Sequence, residues 1–382
     1  MQKGLWRYFD RTLFLIVLIL VLIGVGMAYT TYQASVPSSE GALLENIVFR
    51  QLLFAAMGIA LYLVASAIDY HIFRSLHLWI YAFVVAILGI TLIIGDTSFG
   101  AKSWLASGIF GVQPSELCKV LMILVWANYL DGDKDGLESP KPLLISALSI
   151  VPPFLLIYRQ PDFGTALILL SIWLGMIFLS GVRWRHILIL LGMGVIAVPL
   201  GWFQLKDYMR DRILSFVFPG DDPTGASYNV TQALISIGSG GWWGKGLLRG
   251  TQSQLHFLRV RHTDFVFSVL AEETGFLGSM VLLALFAILT LRLVRIATSA
   301  QDSYGRLIVA GVATMILVQT FVNLAMNANL LPVTGLPLPL VSYGGSSLLT
   351  TMLALGLAQS VAMRRKRDEQ ALLSREIWGR KR

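Results

Sequence analysis

Charge is the commodity this chain has least of. Asp, Glu, Lys and Arg together make up 14% of its 382 residues, against roughly 25% in an ordinary soluble domain. Hydrophobic residues make up 55%. So few charges cannot cover a globular surface, which excludes a soluble enzyme, a disordered chain and a nucleic-acid-binding domain. The solvent for most of the sequence is lipid. A net charge of +8 does not reinstate nucleic acid as a partner. Eight basic side chains fall in the last nineteen residues (Arg364, Arg365, Lys366, Arg367, Arg375, Arg380, Lys381, Arg382), the pattern of a tail beside anionic membrane lipids. Cysteine is nearly absent. Cys118 alone allows no intrachain disulfide and no multi-cysteine metal site, and it is silent about compartment. Strand-type alternation is missing, which excludes a membrane β-barrel, and no repeat of 20–50 residues is visible.

What is present is a succession of apolar runs. A helix needs roughly 20 apolar residues to cross a bilayer, and runs of that kind fall at 10–30, 48–67, 78–95, 114–130, 142–158, 164–181, 186–204, 264–296, 305–328 and 343–363. In lipid each span must satisfy its own backbone amides, so these are helices. The first run follows Lys3, Arg7 and Arg11 like a signal peptide, but many similar runs follow it and it reads as a retained span. The expected fold is an all-α polytopic membrane protein of about ten transmembrane helices, with a large extracytoplasmic loop between helices 7 and 8. Residues 1–363 form one membrane domain, 205–263 its outer loop and 364–382 a basic cytoplasmic tail. Short loops on the side of the termini hold Lys3, Arg7, Arg11, Arg74, Lys134, Lys141, Arg183, Arg185, Arg292, Arg295 and Arg306. Those on the other side hold Arg50, Lys102 and Arg159. This bias places both termini in the cytoplasm. Pro152-Pro153 is predicted to kink or shorten its span, and 264–296 is too long to cross upright.

Two familiar motifs fail on inspection. Asp131-Gly-Asp133-Lys-Asp135-Gly136 opens like a calcium loop, but its twelfth position is Pro142 where a bidentate Glu belongs. Asp131-x-Asp133 also resembles the metal pair of nucleotide-sugar transferases; a solvated turn is the simpler reading. The glycine-rich stretch 238–250 has Ser239 where a phosphate-binding loop needs its first Gly, and Gly246 where Ser or Thr should follow Lys245. It reads equally as a ligand-approaching turn and as a plain outer loop.

Charges at membrane depth are costly and become functional candidates by default. Glu116 and Lys119, at i and i+3 after Pro114, share one helix face; they are either a self-contained ion pair or part of a site. Asp162, before the sixth span, is either a helix cap or a site residue. Asp264 stands where the outer loop meets the eighth span, with Glu272 and Glu273 two turns on. A carboxylate at that boundary is placed for a raised pKa and general-base work. His262 beside it reads as an interfacial histidine.

Gln-Pro-Ser-Glu-Leu (113–117), Gln-Pro-Asp-Phe-Gly-Thr (160–165), Ile-Gly-Ser-Gly-Gly (237–241) with Gly-Lys-Gly (244–246), His-Thr-Asp-Phe (262–265) and the run Leu331–Ser347 resemble the SEDS family (shape, elongation, division and sporulation), and its elongation type more than its division type. The resemblance covers nearly the whole chain. It implies a peptidoglycan glycosyltransferase that uses lipid II, works with a class B penicillin-binding protein (a transpeptidase) and carries its essential aspartate at Asp264. Glu116, Lys119 and Asp162 match other polar family positions. Lys102-Ser103, Leu258-Arg259-Val260 and Asn329 depart from the family pattern. On this reading Asp264 takes the proton from the acceptor's GlcNAc 4-hydroxyl, and undecaprenyl pyrophosphate leaves. Lys119, Lys102, Arg50, Arg212 or a divalent cation (Mg or Mn) stabilises the leaving group. Two other functions fit the same chain. One is a lipid II flippase, the other a scaffold for a synthase partner.

Overall fold

The computed structural model describes residues 5–33, 46–98, 101–105, 111–131, 140–182, 207–218, 226–254 and 263–379, with isolated positions between 185 and 194. The expected span 186–204 lies mostly outside these residues. So do Asp133, Asp135, Arg259, Val260 and His262, together with the side chains of Lys102, Ser103 and of the tail beyond Arg365.

The long helices are α1 (Arg11–Gln33), α2 (Ile47–Ala67), α3 (His77–Ile94), α4 (Pro114–Leu130), α5 (Pro140–Arg159), α6 (Phe163–Leu179), α7 (Asp207–Val217), α8 (Ala226–Ser239), α9 (Val266–Thr298), α10 (Ser303–Asn327) and α11 (Gly345–Gly379). One small antiparallel hairpin, Asp96–Ser98 with Ala101–Trp104, follows α3. Among the described residues six helices are long and apolar enough to cross a bilayer: α1, α2, α3, α9, α10 and the first part of α11. The apolar parts of α5 and α6 are shorter. Leu15, Leu22, Trp79, Ile93 and Phe178 are exposed, which is where large apolar side chains belong when the surroundings are lipid.

The centre of the bundle is α10, which packs against α4, α6, α9 and α11, while α2 lies along α11. Hydrophobic burial does not drive helices together inside a bilayer, so close approach by small residues does much of the work. A methyl added at Gly356 of α11 would sit 2.6 Å from the Tyr62 carbonyl of α2. The two ends of the bundle are distinguished by their ties. At one end Asp10 holds Arg292, Asp69 holds Arg364 and Arg364 caps the last carbonyls of α2 at Ala67. This is the end from which the basic tail departs.

The helix α5 continues through Pro152-Pro153, and its apolar part, Leu143–Arg159, is shorter than a full span. In α9 the helix breaks at Gly275, whose φ of 68° and ψ of −162° are not helical. The long segment is therefore two helical pieces. The part after Gly275 is about 23 residues, roughly 35 Å at 1.5 Å per residue, enough to cross by itself.

A broken helix in lipid leaves amides and carbonyls without partners. The glycine-rich loop supplies them. Phe276 N donates to Gly241 O (2.8 Å) and Leu277 N to Trp242 O (3.2 Å); in return Lys245 N and Gly246 N donate to the carbonyls of Glu272 and Glu273, both at 3.0 Å. The Lys245 ammonium pairs with Glu272 Oε1 at 2.8 Å, and Thr251 Oγ1 and Gln252 N donate to the same oxygen. Such backbone-to-backbone splinting needs glycine. A methyl on Gly240 would lie 2.1 Å from Ala271 O, and one on Gly244, where φ is +78°, 2.1 Å from Glu273 O. Gly244→Ala should therefore lift the loop off α9 and cost about 3 kcal/mol. A marked fall in the melting temperature of the detergent-solubilised protein checks this, and an unchanged melt refutes it.

Candidate active site

Between α10 and α11, residues 328–344 form no regular structure. The segment turns back into the bundle, where Leu336, Leu338, Leu340 and Val341 are buried. Irregular backbone at membrane depth is tolerated only where protein satisfies it. Here three amides spaced four residues apart on α10 do so. Gln319 Nε2 donates to Pro337 O (3.1 Å). Asn323 Nδ2 donates to Leu336 O (2.7 Å) and to Asp264 O (3.1 Å). Asn327 Nδ2 donates to Asp264 O (2.9 Å) and Asn323 O (2.9 Å). Below them, Lys119 donates to Gln319 Oε1 (3.0 Å) and to Glu116 Oε1 (2.8 Å).

Asp264 stands just ahead of α9, whose N-cap is Phe265. Its own main-chain oxygen takes both asparagine amides, and the preceding carbonyl, Thr263 O, accepts the Ser342 hydroxyl (2.5 Å). Its carboxylate is half-buried. Burial pushes the carboxyl up to about 6, against the opposing pull of a hydrogen bond from the Thr263 side chain and the charge of Arg212. Arg212, on α7, donates to Val333 O (3.4 Å). A methyl placed on Gly335 would be 3.9 Å from Asp264 Oδ2 and 4.0 Å from Arg212 Nη1. The bare Gly335, with φ +73°, therefore leaves open the space that carboxylate and guanidinium share.

The other expected residues are placed differently. Lys119 is 1% exposed and Glu116 3%, and each spends its charge on the other. Asp162 Oδ1 caps α6 through Thr165 N (3.1 Å). Its Oδ2 accepts Gln113 Nε2 (2.9 Å) and Ser115 Oγ (3.0 Å). Cap and network are therefore one arrangement, and it touches the re-entrant segment. Gln113 N donates to Ser346 Oγ (3.1 Å), and a methyl on Gly164 would lie 2.7 Å from Thr334 O. Arg50 occupies the first turn of α2, at the same end as Asp264. Glu272 belongs to the splint. Reading the sequence for charges alone missed Gln319, Asn323, Asn327 and Ser342; the signal was there, as amides at i, i+4 and i+8 in an otherwise apolar span.

A helical bundle with six helices long and apolar enough to cross a bilayer, and a partly desolvated carboxylate beside a guanidinium at one end, places the fold in the class of multi-span membrane proteins. Residues 10–367 match the FTSW_RODA_SPOVE family, described as cell cycle proteins, and the chain belongs to that family. It is 38% identical over 368 residues to peptidoglycan glycosyltransferase MrdB of Escherichia coli K12, covering 96% of this chain and 97% of that one. It is 35% identical over 358 residues to stage V sporulation protein E of Bacillus subtilis, covering 92% and 96%. The solved rod shape determining protein RodA of Thermus thermophilus superposes with a TM-score of 0.68 at 30% identity, over 94% of this chain and 97% of that one. A chain of a solved peptidoglycan synthase complex, described as coordinating polymerization and crosslinking, superposes at 0.78 with 31% identity, over 94% and 98%.

Proposed function

We propose that this enzyme is a peptidoglycan glycosyltransferase that polymerises lipid II during cell elongation, with Asp264 as the general base. The observation that carries the reading is the Asp264 carboxylate itself, half-buried, raised to about 6 and sharing open space with Arg212. A base with that pKa is ionised at neutral pH yet still takes a proton readily. It removes the proton from the acceptor's GlcNAc 4-hydroxyl as the oxygen attacks the anomeric carbon of the donor MurNAc. The bond to undecaprenyl pyrophosphate breaks in the same displacement, with inversion and oxocarbenium character by analogy with glycoside chemistry. Arg212 is the cation beside the base and meets the charge that develops on the departing diphosphate. Arg50 and Lys102, at or near the same end, are candidates for further phosphate contacts, and Glu116, Lys119 and Asp162 bear on the substrate by holding the frame. No three His, Cys, Asp or Glu side chains converge as a metal cage among the described residues, so Mg or Mn here would draw most of its ligands from the substrate's phosphates and water.

Asp264 lies at the end of the bundle away from the basic tail. With the termini in the cytoplasm, as the distribution of Lys and Arg supports, the reaction runs on the outer face of the cytoplasmic membrane. A class B penicillin-binding protein is the partner that fits, since crosslinking must follow polymerisation, as the described purpose of the solved synthase complex indicates. Purified protein, with and without that partner, incubated with lipid II should give a ladder of glycan strands. Lipid movement across vesicles with no glycan formed would instead favour a flippase, whose broken helices α9 shares.

The pH profile offers a second check. The polymerisation rate should fall below about pH 6 with a slope of one as Asp264 takes up its proton. Arg212 holds that carboxyl down, so Arg212→Ala should move the acid limb to higher pH as well as slow the reaction. A limb that stays put in the variant would remove Arg212 from the site.

A further inference from the structure

We propose that Asn323 and Asn327 are positioning residues for Asp264, fixing the base relative to the re-entrant segment and Arg212. The inference rests on Asp264 being the base. Both asparagines are 0% exposed. Both aim an amide at one acceptor, the main-chain oxygen of Asp264, at 3.1 and 2.9 Å, which fills both lone pairs of that carbonyl. The remaining hydrogen of Asn323 holds Leu336 O at 2.7 Å, next to Gly335. That one side chain therefore joins the base to the segment whose Val333 carbonyl accepts Arg212. Asn327 is aimed by Ser268, whose hydroxyl donates to its Oδ1 at 2.6 Å. Ser342 completes the hold, accepting Leu338 N at 2.8 Å and donating to Thr263 O. None of these side chains touches the carboxylate, so they act through its backbone.

The bland alternative is that the asparagines only satisfy buried carbonyls and support the fold. The two readings part in the kinetics. A displaced base lowers kcat while substrate binding survives, and a shift of about 1 Å costs on the order of 10²-fold. Asn323→Leu and Asn327→Leu keep much of the volume and lose the amide donors without adding a charge. Each should cut kcat for lipid II by about 10- to 100-fold with KM nearly unchanged in protein of normal yield. Ser268→Ala, which removes only the group that orients Asn327, covers the case in which an asparagine variant fails to fold, and it should lower kcat several-fold with an unaltered melt. Normal kcat in Ser268→Ala and in any folded asparagine variant, or losses confined to KM or to thermal stability, would overturn the proposal. Wild-type protein that makes no glycan, or Asp264→Asn that still makes it, would instead refute the assignment of the base.

Discussion

Asp264→Asn should abolish nearly all polymerisation while leaving the protein folded. The substitution keeps the side-chain volume and removes the proton acceptor. A general base typically contributes 10²–10⁴-fold, so the loss should fall in that range, read as glycan formed per minute from lipid II. The fold should tolerate the change because the buried ties to this residue, from Asn323 and Asn327, end on its main-chain oxygen, which the substitution leaves in place. Burial already disfavours the charge, so a neutral amide in its place does not destabilise the site. Near-normal polymerisation by the purified variant would remove Asp264 from the chemistry.

Lys119→Met should be the most damaging single substitution for stability. Lys119 and Glu116 are among the most deeply buried charges in the bundle, and each is the other's counter-ion at 2.8 Å. Removing one partner of a buried pair leaves an uncompensated charge and costs about 3–5 kcal/mol. Gln319 would also lose the donor to its Oε1. Replacing both partners, as Glu116→Gln with Lys119→Met, should restore much of the loss, because a buried pair replaced by neutral groups of similar volume is often near neutral. Melting of the solubilised protein measures both. A double variant no more stable than the single one would show that the pair is needed as a pair.

Much of this architecture is legible in the chain because lipid imposes a strong rule. Apolar runs of sufficient length must be helices, and α1, α2, α3, α9 and α10 follow the pattern closely. What the pattern hides is decided by contacts distant in sequence. Gly275 looks like any glycine in a membrane helix, and its break is possible only because Gly241, Trp242, Lys245 and Gly246 come to mend it. The same contact gives the glycine-rich stretch a structural role, as the splint of α9. Pro152-Pro153 leaves no break in α5, whose apolar part is nonetheless shorter than a full span. At the site, Asp264 announces itself as a carboxylate at a boundary. Its supporting amides do not, because uncharged polar residues in a span raise little alarm and their role depends on a segment that folds back on them.

The order in which the molecule is made gives these ties a direction. The loop that splints α9 precedes it in the chain, so translation delivers the repair ahead of the fracture. Asp264 has the reverse arrangement, since Asn323, Asn327 and Ser342, which hold its peptide and the one before it, are synthesised after it. An unfinished polypeptide that already threads the membrane several times therefore has the Asp264 peptide unanchored, and the hold is complete only once residues 323–342 have been made.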